Sequence, residues 1–221
     1  MTGAGGPEAE KRAVAEAAAE MVRDGMSVGL GTGSTVAHLL PALAARDLSD
    51  LRCVATSPAT EAAARGHGLP VEAFAEVARL DIAIDGADQV TPEGWLVKGG
   101  GGAHLREKIV AAATELFIVI CDSTKGVDAL HGPVPVELSA FGLASTRGRL
   151  ESLGEVCLRD APLSPDGGVI ADLHATPADP ESFARRLDLE PGVTGHGLFA
   201  PALVDEVLIA TGNDVRRFSP A

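Results

Sequence analysis

Short apolar segments of strand length alternate with helical segments along the first half of this chain. The strand segments are Met26–Leu30, Leu51–Ala55, Leu80–Ile84 and Leu116–Ile120, and apolar residues recur at helical spacing between them. Strands and helices that alternate in this way build a parallel sheet with helices packed on both of its faces. The alternation therefore predicts an α/β fold with a doubly wound, mostly parallel sheet.

The pattern changes from about His131 onward, because prolines and glycines become frequent and the apolar residues alternate over shorter stretches. This change predicts a smaller α+β subdomain inserted near the C-terminus. The segment Val204–Ala210 then has the composition of a strand that returns to the main sheet. We therefore predict a Rossmann-like domain at 1–130 and 204–221, and a small α+β subdomain at 131–203.

Three unusual loops follow predicted strands, and ligands of such sheets bind beyond the carboxyl ends of the strands. The first loop is glycine-rich and runs from a strand into a helix, so its backbone N–H groups, its hydroxyl groups and the helix start can all face an anion. The candidate anion-binding residues are Thr32, Gly33, Ser34 and Thr35. A tight turn without a ligand is the alternative. A dinucleotide-binding fingerprint fits poorly, because Ser34 and Val36 occupy the positions where it needs glycine.

The second loop is Asp85-Gly86-Ala87-Asp88, directly after a predicted buried strand. Two carboxylates three positions apart can face one ligand, accept hydrogen bonds from its hydroxyl groups and pass protons. The same residues are also typical of a turn or a helix cap. Both interpretations stay open on this motif alone.

The third loop begins at Lys98, continues through four consecutive glycines and leads into a predicted helix that carries Glu107. So flexible a segment costs conformational entropy on folding, and it is expected where bare backbone amides approach a ligand. The candidate amide donors are Gly99, Gly100 and Gly101. Lys98 is a candidate cation for a developing oxyanion, and Glu107 is a candidate base. A purely structural role for this loop is the alternative.

The formal net charge of −13 disfavours nucleic acid and anionic membranes as partners. A site for a phosphorylated metabolite must then concentrate positive potential locally. Only four of the 18 basic residues are lysines, at positions 11, 98, 108 and 125. Lys125 follows the strongest predicted strand and is either a phosphate contact or a solvated lysine at a helix start. Lys11 stays an open candidate for the same role.

The three cysteines, Cys53, Cys121 and Cys157, are odd in number and widely spaced. They predict neither a disulfide framework nor a metal site formed by cysteines, and a reducing cytoplasm is the expected compartment. No cluster of His, Cys and carboxylate residues at ligand spacing predicts a metal site. The N-terminus does not have the pattern of a signal peptide, and the apolar runs are too short to span a membrane.

Taken together, three stretches resemble the signature stretches of the ribose-5-phosphate isomerase A family, in the same order. They are GLGTGSTV at 29–36, DGADQV at 85–90 and KGGGGAHLREKIV at 98–110. The similarity continues through CDSTKGVDAL, PVPVEL and PGVTGHGLF, so it covers nearly the whole chain. Each motif alone is moderately specific, whereas the ordered combination is highly specific.

The resemblance implies an aldose–ketose isomerase that interconverts ribose 5-phosphate and ribulose 5-phosphate through an enediolate, in the non-oxidative pentose phosphate pathway. It also implies a homodimer or larger homo-oligomer that needs no cofactor. By this resemblance, the residues from Thr32 to Thr35 would hold the phosphate, and Lys125 would bind substrate. Asp85 and Asp88 would handle the sugar hydroxyl groups, with Asp85 assisting ring opening. Lys98 would support charge on the carbonyl oxygen, and Glu107 would accept the proton.

The chain departs from the family pattern in the third loop and after the strongest strand. The family more often has three glycines and two alanines after the lysine, whereas this chain has a fourth glycine and His104. The usual Asp-Glu-Ser-Lys stretch is Asp122-Ser-Thr-Lys here. Two other functions stay open: a related sugar-phosphate deaminase or lactonase, and a sugar-phosphate-binding module without catalytic activity.

Overall fold

The structure is a computed structural model that describes residues 6–212 and 214–220. Residues 1–5, 213 and 221 belong to the range predicted for the main domain and lie outside the described residues. The helices are α1 (Pro7–Ala19), α2 (Ser34–Ala44), α3 (Pro58–Gly66), α4 (His104–Ala112), α5 (Leu143–Leu150) and α6 (Pro180–Asp188). The strands are β1 (Ser27–Leu30), β2 (Arg52–Ala55), β3 (Ile82–Gly86), β4 (Gln89–Val90), β5 (Leu96–Val97), β6 (Phe117–Asp122), β7 (Val134–Leu138), β8 (Glu155–Leu158), β9 (Val169–His174), β10 (Val193–His196), β11 (Leu198–Phe199), β12 (Glu206–Thr211) and β13 (Asp214–Phe218).

The largest sheet has six strands in the order β13-β12-β6-β3-β1-β2. Every neighbouring pair from β12 to β2 is parallel, and only β13 pairs antiparallel, at the edge next to β12. The strand order reverses direction beside β1, as in doubly wound folds. The prediction of a doubly wound, mostly parallel α/β fold is confirmed.

Both faces of this sheet are buried, which explains why its strands read as continuous apolar runs. Alternate residues of β3 and β6 enter different cores, because successive side chains of a strand point to opposite faces. On one face, Ile84 and Ile120 pack with residues of α1 and α2 such as Val14. On the other face, Val119 packs with Val110 of α4. The helix that carries Glu107 is thus fixed against the sheet.

A second sheet of four antiparallel strands, in the order β10-β7-β9-β8, encloses a third core together with α5 and α6. A third, three-stranded sheet joins β11 to β5 and β4. It links residues from the range 131–203 to residues from the range 1–130. The division of the chain at those two boundaries stays a prediction.

None of the helices within the described residues has both the length and the apolar composition needed to cross a membrane.

Candidate active site

A cavity of about 220 Å³ opens beyond the carboxyl ends of β1, β3 and β6, where the three predicted loops meet. Its volume suits a small metabolite rather than a larger ligand. Its lining consists of Thr32, Gly33, Ser34, Thr35, Gly86, Ala87, Asp88, Lys98, Gly99, Gly100, Gly101, Glu107 and Lys125. Of the residues predicted for the site, Asp85 alone does not line the cavity and lies beneath it instead.

The first loop presents the open N-terminus of α2 to the cavity. Gly33 caps this helix with a φ of 132°, and no side chain occupies the cap. The first backbone N–H groups of the helix are therefore available to an anion, which the helix dipole also attracts. Thr32 has fewer groups free to bind an anion than predicted. Its N–H donates to Asp85, and its hydroxyl is bonded to the hydroxyls of Thr56 and Thr60.

Asp85, at the end of β3, is buried directly behind the first loop. Its Oδ1 accepts hydrogen bonds from the N–H groups of Thr32 at 3.1 Å and Gly86 at 2.7 Å. The approach is so close that a Cβ atom at Gly31 would lie 2.0 Å from the Asp85 carboxylate. A glycine at position 31 is therefore required by the carboxylate behind it.

Lys98 follows β5, and its ammonium group is buried between two carboxylates. Its Nζ lies 2.9 Å from Asp85 Oδ2 and 3.1 Å from Glu107 Oε2, and it donates to the carbonyl oxygen of Gly86. All three charged side chains are at most 3% exposed. One cation therefore faces two carboxyl groups in a site with little access to water.

The pKa values of Asp85, Lys98 and Glu107 are all raised above their ordinary values. Burial raises the pKa of Glu107 to about 8, with a further rise from the charge of Asp85, and Lys98 only partly opposes them. Burial likewise raises the pKa of Asp85, against the lowering by Lys98 and by two backbone N–H groups. For Lys98, burial lowers the pKa, but Asp85 and Glu107 outweigh burial and hold the pKa above its ordinary value.

Near neutral pH one of the two carboxyl groups carries a proton, because a single ammonium cannot neutralise both. Asp85 has two backbone donors in addition to Lys98. By contrast, Oε2 of Glu107 is buried without a partner in hydrogen-bond geometry among the described residues. The proton therefore resides on Glu107, which can bind and release it near physiological pH, as a general acid–base group must.

The third loop, called the glycine loop from here on (residues 99–102), brings backbone amides to the cavity. Gly99 has a φ of 103°, which only glycine adopts without strain, and its Cβ position would lie 2.7 Å from a ring nitrogen of His104. The N–H of Gly100 donates to Asp88 Oδ2 at 2.9 Å. Asp88 is exposed to the cavity, so its other oxygen is available to a hydroxyl group of a ligand.

Lys125 reaches the cavity from the turn after β6, and Glu10 of α1 fixes this turn. The buried carboxylate of Glu10 accepts from the N–H of Ser123 at 2.9 Å, from its hydroxyl at 2.7 Å, and from the N–H of Gly212 at 2.7 Å. Lys11 does not line the cavity; its Nζ is 2.6 Å from Glu8 Oε1.

His104, the residue that departs from the family pattern, is fully buried in the first turn of α4. Neither ring nitrogen has a hydrogen-bond partner of normal geometry among the described residues. Burial lowers the pKa of His104 to about 3, and nearby Lys108 adds to the lowering. The imidazole is therefore neutral and incompletely satisfied.

We expect His104→Leu to raise the free energy of unfolding by about 1–3 kcal/mol, because the apolar side chain removes the cost of an unpaired buried polar group. Urea unfolding measures the change. As a control, exposed His67 is replaced by leucine, with an expected change within about 0.5 kcal/mol. A His104→Leu protein less stable than wild type would show that the imidazole does have partners in the folded protein.

Sequence reasoning missed two groups that fix the site. Glu10 lies in a helix whose acidic residues resemble an ordinary solvated face, and only the fold brings it to Ser123. Arg159 lies just after β8 of the antiparallel sheet and donates from Nη1 to the carbonyl oxygens of Gly99 and Gly100. No local motif marks either residue, since both act through contacts between distant parts of the chain.

The comparisons with known proteins agree with this geometry. The family described as "Ribose 5-phosphate isomerase A (phosphoriboisomerase A)" matches residues 52–214. A ribose-5-phosphate isomerase A of Caulobacter vibrioides is 42% identical over 223 residues, which cover 96% of this chain and 98% of that protein. A second family, the DeoR C-terminal sensor domain, matches residues 7–68.

Solved structures show the same similarity in three dimensions. A ribose 5-phosphate isomerase A from Neisseria gonorrhoeae is 33% identical, with a TM-score of 0.93 over 100% of this chain and 99% of that one. A D-ribose-5-phosphate isomerase solved in complex with phospho-erythronic acid is 32% identical, with a TM-score of 0.91 over 97% of this chain and 100% of that one. The likeness therefore extends over both the main sheet and the antiparallel sheet.

Proposed function

This chain belongs to the ribose 5-phosphate isomerase A family, and from that premise we propose how its own residues interconvert D-ribose 5-phosphate and D-ribulose 5-phosphate. It is an aldose–ketose isomerase, and its substrate is a sugar phosphate. The reaction moves one proton from C2 to C1 of the open-chain sugar. We assign that transfer to Glu107.

One observation carries the assignment: the buried carboxyl of Glu107 lies 3.1 Å from the ammonium of Lys98 at the wall of the cavity. A proton on carbon is weakly acidic, so its removal needs a base whose pKa is close to the working pH and a cation beside the oxygen that gains charge. The raised pKa of Glu107 and the neighbouring Lys98 meet both needs.

In the first step Glu107 takes the C2 proton, the C1–C2 double bond forms, and the electrons of the C1 carbonyl move onto its oxygen. Glu107 is then neutral and attracts the ammonium of Lys98 less strongly, so the ammonium can turn to the enediolate oxygen. In the second step Glu107 returns the proton to C1, the hydroxyl proton of C2 passes to the C1 oxygen, and the C2 ketone forms.

The rest of the cavity supports binding of the phosphate and the hydroxyl groups. The open N-terminus of α2, with the hydroxyls of Ser34 and Thr35, suits the phosphate, and Lys125 adds positive charge to a strongly acidic protein. Asp88 suits a sugar hydroxyl. For Asp85, the backbone N–H groups of Thr32 and Gly86 and the ion pair with Lys98 favour holding Lys98 in place over direct assistance to ring opening.

The likeness to the DeoR sensor domain ends at residue 68, before Asp85, Lys98 and Glu107. The matched residues include the first loop, at 32–35, which we propose binds the phosphate, but they do not include Glu107. A module that only binds sugar phosphates has no use for a buried carboxyl with a pKa near neutrality, and this favours catalysis over sensing.

The proposal is tested by incubating the protein with ribose 5-phosphate and a chelator in D₂O, and by following ketose formation. We expect ribulose 5-phosphate, with deuterium at C1 in the fraction of turnovers in which the proton on Glu107 exchanges with solvent. A sugar phosphate that binds but gives neither ketose nor exchange at C2 would refute the proposed activity and leave a binding module.

The rate should depend on pH through Glu107. A base must be deprotonated to act, so we expect kcat/KM to rise about tenfold per pH unit in the acidic range and to level off above pH about 8. Steady-state rates between pH 5.5 and 9.5, about four units around the inflection, measure this profile.

Lys108 is the control for this profile, because burial lowers its pKa to about 8 as well. Lys108→Arg keeps a positive charge throughout the pH range, since a guanidinium does not titrate there. The inflection should persist in this variant. If it disappears, the pH dependence belongs to Lys108, and the assignment to Glu107 is wrong.

We also propose that the enzyme works in the cytoplasm as a homodimer or larger homo-oligomer. The three cysteines are free, and Cys157 is exposed, as suits a reducing compartment. Phe141 is 93% exposed and Leu189 is 72% exposed on the antiparallel-sheet part of the chain. Contact with a second copy of the chain would remove the apolar surface of these two side chains from water.

A further inference from the structure

The outer side of the glycine loop is held by an arginine from the antiparallel sheet. Nη1 of Arg159, just after β8, donates to the carbonyl oxygen of Gly99 at 2.9 Å and to that of Gly100 at 3.1 Å. Charged donors of this kind make stronger hydrogen bonds than neutral ones. A loop of four glycines has little intrinsic preference for one conformation. The two bonds from Arg159 therefore restrict it further than its own turn, in which the N–H of Gly102 donates to the carbonyl oxygen of Gly99 at 3.0 Å.

Arg159 is itself fixed before any ligand arrives. Its Nε and Nη2 form a two-point ion pair with Asp172 on β9, at 2.8 Å and 2.6 Å. The two side chains are only 21% and 23% exposed. Because β8 and β9 are paired in register, the antiparallel sheet sets the position of the guanidinium.

The carbonyl groups that Arg159 holds determine where the neighbouring amides point. In a trans peptide the C=O and the N–H of one plane point in opposite directions. With the carbonyls of Gly99 and Gly100 turned outward, the N–H groups of Gly100 and Gly101 turn toward the cavity. The first of these N–H groups donates to Asp88. The N–H of Gly101 has no backbone acceptor among the described residues, and Gly101 lines the cavity.

We infer that Arg159 is a positioning residue for the isomerisation: it aims the amides of the glycine loop at the oxygens of the reacting sugar. The inference rests on the proposed function, which supplies the enediolate that those amides meet. Fixed donors lower a barrier because they need no reorganisation when charge develops. The antiparallel sheet thereby takes part in the reaction without touching the substrate.

A second arginine on the same side of the molecule provides a matched control. Arg106 of α4 forms a two-point ion pair with Asp166, with both bonds at 2.8 Å, and so also connects the main sheet to the antiparallel part. Among the described residues, it also donates to the carbonyl oxygen of Pro165 but to no residue of the glycine loop. A role in fixing the two parts together would apply equally to both arginines, whereas a role in aiming amides applies to Arg159 alone.

The experiment compares Arg159→Met and Arg106→Met with wild type in four measurements: kcat, KM, the affinities for phospho-erythronic acid and inorganic phosphate, and the unfolding temperature. Phospho-erythronic acid carries a planar carboxylate that resembles the enediolate, whereas inorganic phosphate tests the phosphate site alone. Loss of one fixed oxyanion donor typically lowers kcat by about 10²–10³-fold. Since Arg159 acts through such donors, we expect Arg159→Met to lower kcat by about 10- to 100-fold.

The other parameters separate positioning from general damage. In Arg159→Met we expect affinity for phospho-erythronic acid to fall with kcat, while KM and phosphate affinity stay within about threefold, because only the charge that develops at C1 and C2 loses its donors. Arg106→Met should stay within about threefold of wild type in all kinetic parameters. If Arg159→Met does not fold, Asp172→Asn, which keeps the arginine but loosens it, should show the same pattern with a smaller loss.

Equal effects of the two arginine variants would overturn the inference, as would a loss in Arg159→Met that is shared equally by kcat, KM and phosphate affinity. A wild-type protein that forms no ketose would refute the proposed function itself. An active wild type with a fully active Arg159→Met protein would refute only the role of Arg159.

Discussion

Replacing Glu107 by glutamine is expected to lower kcat by about 10²–10⁴-fold, which is the usual contribution of a general base. The amide keeps the shape of the carboxyl and can place its oxygen beside the ammonium of Lys98, but it cannot take a proton from C2. Substrate affinity should stay within a few-fold, because the phosphate and hydroxyl contacts lie on other residues. Steady-state kinetics and the exchange of the C2 proton into D₂O measure the two effects.

The control for this variant is Glu115→Gln, which removes an exposed carboxylate paired with Arg79 just beyond the same helix. It should have normal kinetics, because exposed ion pairs contribute little and this one is outside the cavity. A Glu107→Gln protein with near-normal turnover would assign the base to another residue.

The same substitution should also change how stability depends on pH. Folding raises the pKa of Glu107 from 4.5 to about 8, so the folded protein binds this proton more tightly than the unfolded chain. The stabilisation is full below pH about 4.5 and is lost as the pH rises to about 8, by at most about 1.4 kcal/mol per pH unit. Glu107→Gln lacks this loss, so its stability relative to wild type should increase over that range.

Replacing Lys98 by methionine is expected to damage both activity and stability. The methionine retains most of the aliphatic chain but leaves Asp85 and Glu107 buried without a cation. Removing one partner of a buried ion pair typically costs about 3–5 kcal/mol of unfolding free energy. Without a cation beside the enediolate, kcat should fall by about 10²–10³-fold. Urea unfolding and steady-state kinetics test the two expectations.

Two further variants make the stability prediction specific. Combining Lys98→Met with Glu107→Gln removes one of the two unpaired carboxyls, so it should recover part of the lost stability but none of the activity. Lys125→Met removes the other lysine of the cavity, which is only partly buried. It should raise KM and change the unfolding free energy by no more than about 0.5 kcal/mol. A Lys98→Met protein as stable as Lys125→Met would mean that the buried carboxyls do not depend on the ammonium.

Much of the fold could be predicted from the sequence because the main sheet is built from contiguous segments with strong local signals. The buried parallel strand at Phe117–Asp122, for example, is a continuous apolar run in a long stretch of alternating elements. The two-residue strands Gln89–Val90 and Leu198–Phe199 were not predicted, because so short a segment has no periodicity of its own. Partners distant in the chain define them.

The gathering of the three loops could be predicted for a related reason: the carboxyl ends of parallel strands meet at one edge of a sheet. The role of each side chain at this edge could not be predicted. Thr32 has a hydroxyl that suits a phosphate, yet Thr56 and Thr60 already occupy it. Asp85 lies behind the cavity because Gly31 leaves room for its carboxylate. The role of each side chain depends on its hydrogen bonds to residues distant in the chain, and sequence spacing does not predict those bonds.

The strand Glu206–Thr211 follows the antiparallel sheet in the sequence, yet it lies inside the large sheet, between β6 and the edge strand. During synthesis on the ribosome, the strand Phe117–Asp122 therefore has no second neighbour until the antiparallel sheet, which lies between the two strands in the sequence, has been synthesised. Helix α1 is also incomplete until this stage, because Glu10 accepts one of its hydrogen bonds from the N–H of Gly212, which is synthesised after β12. A nascent or prematurely terminated chain exposes an unpaired apolar strand edge, which is the kind of surface that chaperones bind and that aggregation begins from.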